Sequence, residues 1–479
     1  MAKPANFQPE WIWGDGEGTT VFAQGFGAGQ TVIFSFHLTP SEPPSTLANR
    51  ICTGFPELKP TNGTPTEETS TSLDDGSMRK ALWEAVYTVW PKCLKHPDIS
   101  DPGTVVGIDS SDGSVEAIHW GAYRHPLYSR YFDLLADKTL GQTPPATAAV
   151  DAYRMIDFSD LERFENLEDG TGCATRVRIR GGDEPTDAFF VFKGIDFRTY
   201  LFLTEDDDRT VRYATQCWHN GDNLLLRMPP HPNILPPPVA FVTISSPAGG
   251  GPVVCGSLQQ YHPRGDVANF IAKSNEAGTR LPLSLKARWC ADMAAAVAHT
   301  HRVAHTYHMD IKPSNFVIDD DDNLVLCDWE QCDVAFSTLA SEADGTWDVA
   351  VTPAPRGLAT RPLLTYTKYA GPPRRNMEED VVGFGDKSWH AWNAFRAWSE
   401  DSSLALPLEL AEVFSLGRSM WMLLCQVKVD LDDVEHPGDI QTTWETSFVD
   451  RCLVPDPNYR PDVLEVVDFW KRERAINHS

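Results

Sequence analysis

Phosphoryl transfer calls for a proton acceptor, a cation for the developing phosphoryl charge, and oxygen ligands for a metal. The segment HMDIKPSNFVIDDDDNLVLCDWE, residues 308–330, carries residues of these types. His308, Asp310, Lys312 and Asn315 lie on one short loop, and Asp328 follows at the end of the next apolar run. Asp310 can accept the proton of an attacking hydroxyl, and Lys312 can neutralise charge on the transferred group. Asn315 and Asp328 offer oxygen atoms to Mg2+, a hard cation that prefers them. A hairpin with solvated charges would explain VLCD after the DDDD turn on its own. It does not explain specified residues at fixed offsets on a loop–strand–loop pattern.

The neighbouring segments read as the elements that must hold this loop. LSLKARWCADMAAAVAHTHRVAH (283–305) has helical apolar periodicity and delivers the chain to His308. FENLEDGTGCATRVRIR reads as strand, glycine-containing turn, strand. Gly170 and Gly172 there let backbone N–H groups approach phosphate oxygens with no Cβ in the way, and a plain hairpin turn explains the spacing as well. AFFVFKGI is a buried-strand pattern interrupted by Lys193. Burying an unpaired ammonium is costly, so this lysine either meets a ligand or snorkels to water from an edge strand.

These segments resemble the eukaryotic protein kinases, whose catalytic loop reads His-x-Asp-x-Lys-x-x-Asn and is followed by Asp-Phe-Gly. The resemblance covers about residues 160–475, roughly two-thirds of the chain. It implies an α+β chain with a bilobal protein-kinase-like fold, a β-rich N-lobe over 156–262 and a helical C-lobe over 263–479. ATP and Mg2+ are the implied cofactors. Gly170, Gly172 and Val177 match the phosphate-covering loop, with Thr175 where a third glycine usually stands, and Lys193 matches the grip on the α- and β-phosphates. Gln260, Tyr261 and His262 fall on the hinge whose backbone bonds adenine, and Asp266 falls where a ribose-contacting acid often stands. PPHPNIL (229–235) is similar to the connection between the N-lobe helix and the next strand. LELAEVFSLGRSMWMLLCQV (408–427) is similar to the buried C-lobe helix, with Glu412 where the family usually has aspartate. Arg460 matches the arginine that pairs with the glutamate closing the activation segment. Taking ASE (340–342) as that closing tripeptide predicts a Glu342–Arg460 ion pair and an insertion at about 345–405. DWEQ, EADGTWD and SLGRSMWMLL are similar to a divergent group of protein-kinase-like proteins in fungi.

Three departures shape the functional reading. Met309 replaces the arginine that normally binds an activation-loop phosphate, so activity is expected to be constitutive or controlled by the N-terminal region. Trp329-Glu330 replaces Phe-Gly, which restricts flipping of Asp328 and is shared with the small-molecule phosphotransferases of the same superfold. The glutamate that usually pairs with the lysine is missing: its place falls near Asn220–Asp222, and Asp222 is the nearest carboxylate. The leading expectation is an ATP- and Mg2+-dependent serine/threonine protein kinase, since Lys312-Pro313 is the serine/threonine style of loop. A pseudokinase scaffold and a small-molecule kinase are the alternatives.

Residues 1–155 carry no recognisable chemistry and read as a small α+β accessory domain, a candidate site for a regulator. TVIFSFHL (31–38) alternates like a strand, 77–90 has helical spacing, and 105–123 reads as strand, turn at Ser110–Gly113, strand. The stretch 47–76, rich in Pro, Thr, Ser and Glu, reads as a mobile loop. A formal net charge of -26 repels nucleic acid and anionic membrane and attracts a basic polypeptide substrate. The first residues lack a basic n-region and an apolar h-region, and no apolar run is long enough to span a membrane. Ten scattered cysteines without a CxxC pair read as reduced thiols of a cytoplasmic or nuclear protein.

Overall fold

The structure, a computed structural model, describes residues 4–477 apart from 56–74, 97–104, 110–115, 120–126, 145–152, 168–173, 181–187, most of 201–207, 246–250, 354–360, 371–393, 428–447 and a few shorter gaps. The turn at Ser110–Gly113 and the pair Gly170 and Gly172 lie outside the described residues. The chain is a mixed α/β protein that divides into two compact units, one of residues 1–138, 154–205 and 240–258, the other of 139–153, 206–239 and 259–479.

Among the described residues the first unit holds two sheets. In the first sheet, β1 (Phe7–Gly14), β2 (Thr20–Gly27) and β3 (Gln30–His37) form an antiparallel meander. β4 (Val105–Asp109) joins β3 in parallel, and β5 (Glu116–His119) closes the order β1-β2-β3-β4-β5. Val32, Phe34 and Phe36 of β3 pack with helices α1 (Leu47–Gly54) and α2 (Asp75–Cys93) through Ile51, Cys52, Leu82, Val86 and Trp90. Helix α1 corrects the expected mobile loop over 47–76. The loop-like composition is concentrated after Phe55, while Ala48, Ile51, Cys52 and Phe55 are buried at helical spacing. The Thr46 hydroxyl caps the helix by accepting from the Asn49 amide at 3.4 Å.

The second sheet comprises β6 (Met155–Asp157), β7 (Leu161–Asn166), β8 (Thr175–Ile179), β9 (Phe190–Gly194), β10 (Ala240–Ile244) and β11 (Val253–Gln260). Their order is β6-β10-β11-β9-β8-β7, so β9 is an interior strand. Gly194 is required at the end of β9: a Cβ there would lie 2.3 Å from the Gly256 Cα of β11. Helix α3 (Tyr128–Ala136) sits at the end of β9. The Tyr131 hydroxyl donates to the Ile195 carbonyl at 2.7 Å, and the rings of Tyr128, Tyr131 and Tyr200 gather around Phe197.

The second unit is mostly helical. It contains α4 (Asp208–Arg227), α5 (Val267–Glu276), α6 (Leu283–Arg302), α7 (Ala405–Cys425), α8 (Val449–Cys452) and α9 (Val463–Asn477). Helix α7 is apolar around nearly its whole circumference and is accordingly buried, with Leu416, Met420 and Leu423 packed among Trp289, Met293 and Val297 of α6 and Val466 and Trp470 of α9. The described residues of the unit also form two antiparallel hairpins: β12 (Phe316–Ile318) with β13 (Leu324–Leu326), and β14 (Trp347–Thr352) with β15 (Leu363–Lys368). The second hairpin lies inside the expected insertion, together with a helical stretch at 394–400. It is fastened to the loop before Arg460, where Leu364 N–H donates to Asn458 Oδ1 at 2.8 Å and Asn458 Nδ2 donates to the Leu364 carbonyl at 2.9 Å. No described helix is long and apolar enough to cross a membrane.

Candidate active site

The β12–β13 hairpin assembles the site. Its register pairs Phe316 with Leu326, so the loop that enters β12 and the loop that leaves β13 emerge side by side. The far end is closed by Asp319, whose Oδ1 accepts the Asp321 and Asn323 amides at 2.9 and 2.7 Å. At the near end the Cys327 amide donates to the Asn315 carbonyl at 2.9 Å, which brings Asn315 and Asp328 to the same rim.

Asp310 is the centre of the group and is buried, with 6% of its surface exposed. Its Oδ2 accepts from Asn315 Nδ2 at 2.8 Å and meets Lys312 Nζ at 2.6 Å. Its Oδ1 is buried and has no hydrogen-bond partner. A buried acceptor left open is costly in a finished core and is available to an incoming donor. Burial pushes the Asp310 carboxyl up. The Lys312 ammonium pulls it down and the Asp328 charge pushes it up again, and the net direction is upward.

The backbone of this loop hangs from one buried carboxylate. Glu412, on α7, is 1% exposed. Its Oε1 accepts the His308 and Met309 amides at 2.8 and 2.6 Å, and its Oε2 meets His301 Nε2 of α6 at 2.6 Å. Burial alone would raise this carboxyl, but the His301 hydrogen bond and charge and the Met309 amide outweigh it and hold the group below its ordinary value. Ser419, two turns along α7, donates to the Ile311 carbonyl at 3.2 Å. His308 then links the two halves of the site. Its Nε2 lies 2.7 Å from the Cys327 carbonyl, which can only accept, so Nε2 carries the hydrogen and Nδ1 faces the Asp310 amide at 3.3 Å. The Trp329 and His308 rings meet in a T-shaped arrangement with centroids 4.7 Å apart.

Three non-glycine residues in and beside the site hold positive φ, Met309 at 78°, Asp328 at 66° and Gln331 at 56°. Such backbone costs on the order of 1–3 kcal/mol each and persists where surrounding bonds over-determine it. Those bonds are the Glu412 contact to Met309 and, after Asp328, a set of ties to α4. Asn220 Nδ2 donates to the Glu330 carbonyl at 3.0 Å, and the Tyr213 hydroxyl donates to the Cys332 carbonyl at 3.1 Å. Gly221 permits this approach, since a Cβ there would lie 3.2 Å from Glu330 Cα.

The other expected residues are distributed as follows. Glu342 and Arg460 form a buried two-pronged ion pair. Arg460 also donates to the Val454, Leu410 and Pro455 carbonyls at 2.8, 3.1 and 3.1 Å. Val177 is buried on β8, opposite Phe190 of β9. Lys193 is half-buried on the interior strand β9, which removes the edge-strand explanation for a lysine there. Gln260 ends β11 and is exposed, and Tyr261 and His262 are half-buried. His262 Nε2 is buried without a partner; burial lowers the ring's pKa against the opposing charges of Asp319 and Asp320. Asp266 is the N-cap of α5, with its two oxygens accepting from the Asn269 amide and side chain at 2.9 and 2.6 Å. Asp222, the carboxylate nearest the place of the missing helix glutamate, accepts the Trp218 indole N–H at 2.8 Å. Trp329 is buried in the core of the second unit and donates to the Leu326 carbonyl at 3.1 Å.

The donor set bears on the metal question. With Asn315 Nδ2 engaged by Asp310, the amide oxygen is the atom left for a hard cation, and Asp328 adds a carboxylate. Among the described residues no group of three His, Cys, Asp or Glu side chains is arranged to hold a metal alone. One amide and one carboxylate suit Mg2+ that arrives with phosphate oxygens and water filling the other positions.

His301 and Gln331 escaped the reading of the sequence. Gln331 Nε2 donates to the Tyr307 carbonyl at 2.5 Å, while its Oε1 accepts from Asn220 at 3.3 Å, so it joins the start of the loop to α4. A signal existed for Glu412: a glutamate in the middle of an apolar helical run needs a buried partner. None existed for its pairing with a histidine 111 residues earlier. No protein-family model matches this chain, and no curated protein matches it either.

Proposed function

We propose that this chain is an ATP- and Mg2+-dependent phosphotransferase of protein-kinase type that phosphorylates serine or threonine in a protein substrate. The observation that carries the proposal is the Asp310 carboxylate: one oxygen clamped by Lys312 and Asn315, the other buried and open, with Asp328 close enough to raise its pKa. Asp310 Oδ1 accepts the hydrogen of the substrate hydroxyl and orients the oxygen for attack. The raised pKa moves this carboxylate towards the basicity such a step needs. Lys312, about one-third exposed, places its ammonium where charge develops on the transferred group. Asn315 and Asp328 hold the metal, which supplies charge neutralisation to the phosphate oxygens when bound. Lys193 supplies the phosphate grip. The net charge of -26 favours encounter with a basic substrate. The N-terminal sheet shares a compact unit with the Lys193 strand, which supports a regulator acting through it.

The test is transfer of the γ-phosphoryl group to a peptide library by the wild type, Asp310→Asn and Lys193→Ala. Loss of a general base or orienting group lowers the rate about 10²–10⁴-fold. Undiminished transfer by Asp310→Asn would remove the mechanism.

A second reading, a nucleotide-binding or scaffold pseudokinase, is favoured by one observation. Helix α4 contains no glutamate, and Asp222 receives the Trp218 indole. Mg–ATP titration separates the readings. Ligand at 100 times its Kd stabilises a fold by about 2.7 kcal/mol, so binding without transfer supports the second reading and no thermal shift refutes the first. A small-molecule kinase is less well supported, because the Trp329-Glu330 pair that suggested it has local packing roles: Trp329 in the core and Glu330 against α4 and Cys332.

A further inference from the structure

Helix α4 has a weak turn. Residues 219–223 read His-Asn-Gly-Asp-Asn, five residues of low helix propensity in succession. The turn is nonetheless helical, and it is held from outside on two flanks. One flank meets residues 330–332: Asn220 Nδ2 donates to the Glu330 carbonyl at 3.0 Å, and Gly221 admits the Glu330 backbone. The other flank, formed by His219 and Asn223 at i and i+4, meets residues 139–144. Asn223 Nδ2 donates to the Gln142 carbonyl at 3.0 Å. The Thr143 hydroxyl donates to the His219 carbonyl at 3.4 Å and lies 2.9 Å from His219 Nδ1. With its one hydrogen so engaged, the hydroxyl accepts from Nδ1–H. Thr143 and His219 are 2% and 5% exposed. Gly141 lets the chain pass close to the helix: it holds φ 113°, and a Cβ there would lie 2.9 Å from His219 Cβ. Residues 139–144 belong to the same compact unit as α4 and residues 330–332.

We propose that residues 139–144 are a strap that keeps the turn 219–223 helical and thereby positions residues 330–332 and, with them, Asp328. Thr143, His219 and Asn223 are positioning residues in this scheme, acting on the site through α4. Without the strap, a turn of such low propensity keeps contacts on one flank only, and Asn220 and Gly221 move with it. The Glu330 carbonyl then loses its donor. Asp328 stands two positions earlier at φ 66°, a backbone that persists where neighbouring bonds over-determine it. Gln331 carries the same tie onward: its Oε1 accepts from Asn220 at 3.3 Å and its Nε2 donates to the Tyr307 carbonyl at 2.5 Å, at the start of the loop that bears Asp310. The last link, from Asp328 to metal-dependent transfer, rests on the phosphotransferase reading. The links before it do not.

The experiment compares hydrogen exchange of the full, metal-free chain with that of Thr143→Val, which keeps the shape and removes the hydroxyl, and Thr143→Ser, which retains it. In Thr143→Val exchange is expected to rise in 219–223 and in 328–332, while 316–326 stays at the wild-type level. Thr143→Ser is expected to match the wild type in both segments. A rise confined to 139–144 and 219–223 overturns the proposal, and so does a uniform rise over the whole chain. Asn223→Ala, at a half-buried position, gives the same comparison if Thr143→Val fails to fold. The second readout is the KM for Mg2+ in peptide phosphorylation. It is expected to rise about 10-fold in Thr143→Val, the loss typical when a group that orients a metal ligand is removed, with the KM for peptide unchanged. An equal rise in both overturns the coupling to Asp328. A wild type without transfer refutes the phosphotransferase reading, and the exchange result still decides the strap.

Discussion

At the scale of residues, two buried carboxylates have opposite relations to pH. Asp310 is raised above its unfolded value, so its ionised form is disfavoured by folding. Its cost is full above the folded value, fades as the pH falls from there to the unfolded carboxylate pKa, and is absent below it. Asp310→Asn is therefore expected to be more stable than the wild type at neutral pH and equal to it in acid, while losing about 10²–10⁴-fold in transfer rate. Denaturant melts across pH check the first part and peptide phosphorylation the second. Glu412 is the reverse: lowered in the fold, it contributes stability above the unfolded carboxylate value that is lost as pH falls through its own folded value. Glu412→Gln loses the acceptor for His301 and weakens the bonds to two amides. A cost of about 1–3 kcal/mol at neutral pH, shrinking in acid, is the expected outcome of the same melts. Met309 shows a different logic. It is buried in an apolar cluster with Val334, Ala340, Ala343 and Phe395, so packing rather than a phosphate-binding arginine holds the segment after Asp328. Phosphorylation of Ser337, Thr338 or Ser341 is accordingly expected to leave the rate unchanged, and a large increase after stoichiometric phosphorylation would contradict this.

At the scale of elements, the Glu342–Arg460 pair joins the segment closing at 342 to the loop before α9. Arg460 is 2% exposed and satisfies four groups besides itself: the carboxylate and three carbonyls. Removing one partner of such a pair leaves a buried charge, at about 3–5 kcal/mol. Glu342→Gln should melt well below the wild type. Arg460→Ala should melt lower still, because three carbonyls lose their donor as well. The double variant is expected to cost less than the sum, as coupled neighbours do. The β14–β15 hairpin depends on Asn458 at both its N–H and carbonyl contacts, so Asn458→Ala should raise hydrogen exchange in 347–368 while leaving 308–330 protected.

At the scale of the whole molecule, the charge of -26 acts on encounter rather than on fold. If a basic peptide is the substrate, its KM should rise with ionic strength, whereas a neutral peptide with the same acceptor should show little change; equal salt dependence would discount steering. The division into two units assigns α4 to the helical part and the N-terminal sheet to the part containing Lys193. Truncation within 1–138 therefore cuts into a compact unit rather than removing an independent appendage, and it is expected to lower the stability of the remaining strands.

Local patterns in the chain were sufficient for the elements near the site. The apolar spacing of 283–305, the mostly apolar run of 408–427 and the short strands around the aspartate turn correspond to α6, α7 and the β12–β13 hairpin. These features are legible because burial of one face repeats with the period of the element itself. Composition misled over 47–54, where an average taken across a longer polar stretch hid a capped helix. What only the tertiary structure decided are the partners. The Glu412–His301 bond, the ties of Tyr213 and Asn220 to residues 330–332 and the interior position of β9 each join residues far apart in the chain or set a strand's place among others. Such pairings depend on which elements pack together, and no periodicity within one segment encodes its distant neighbour.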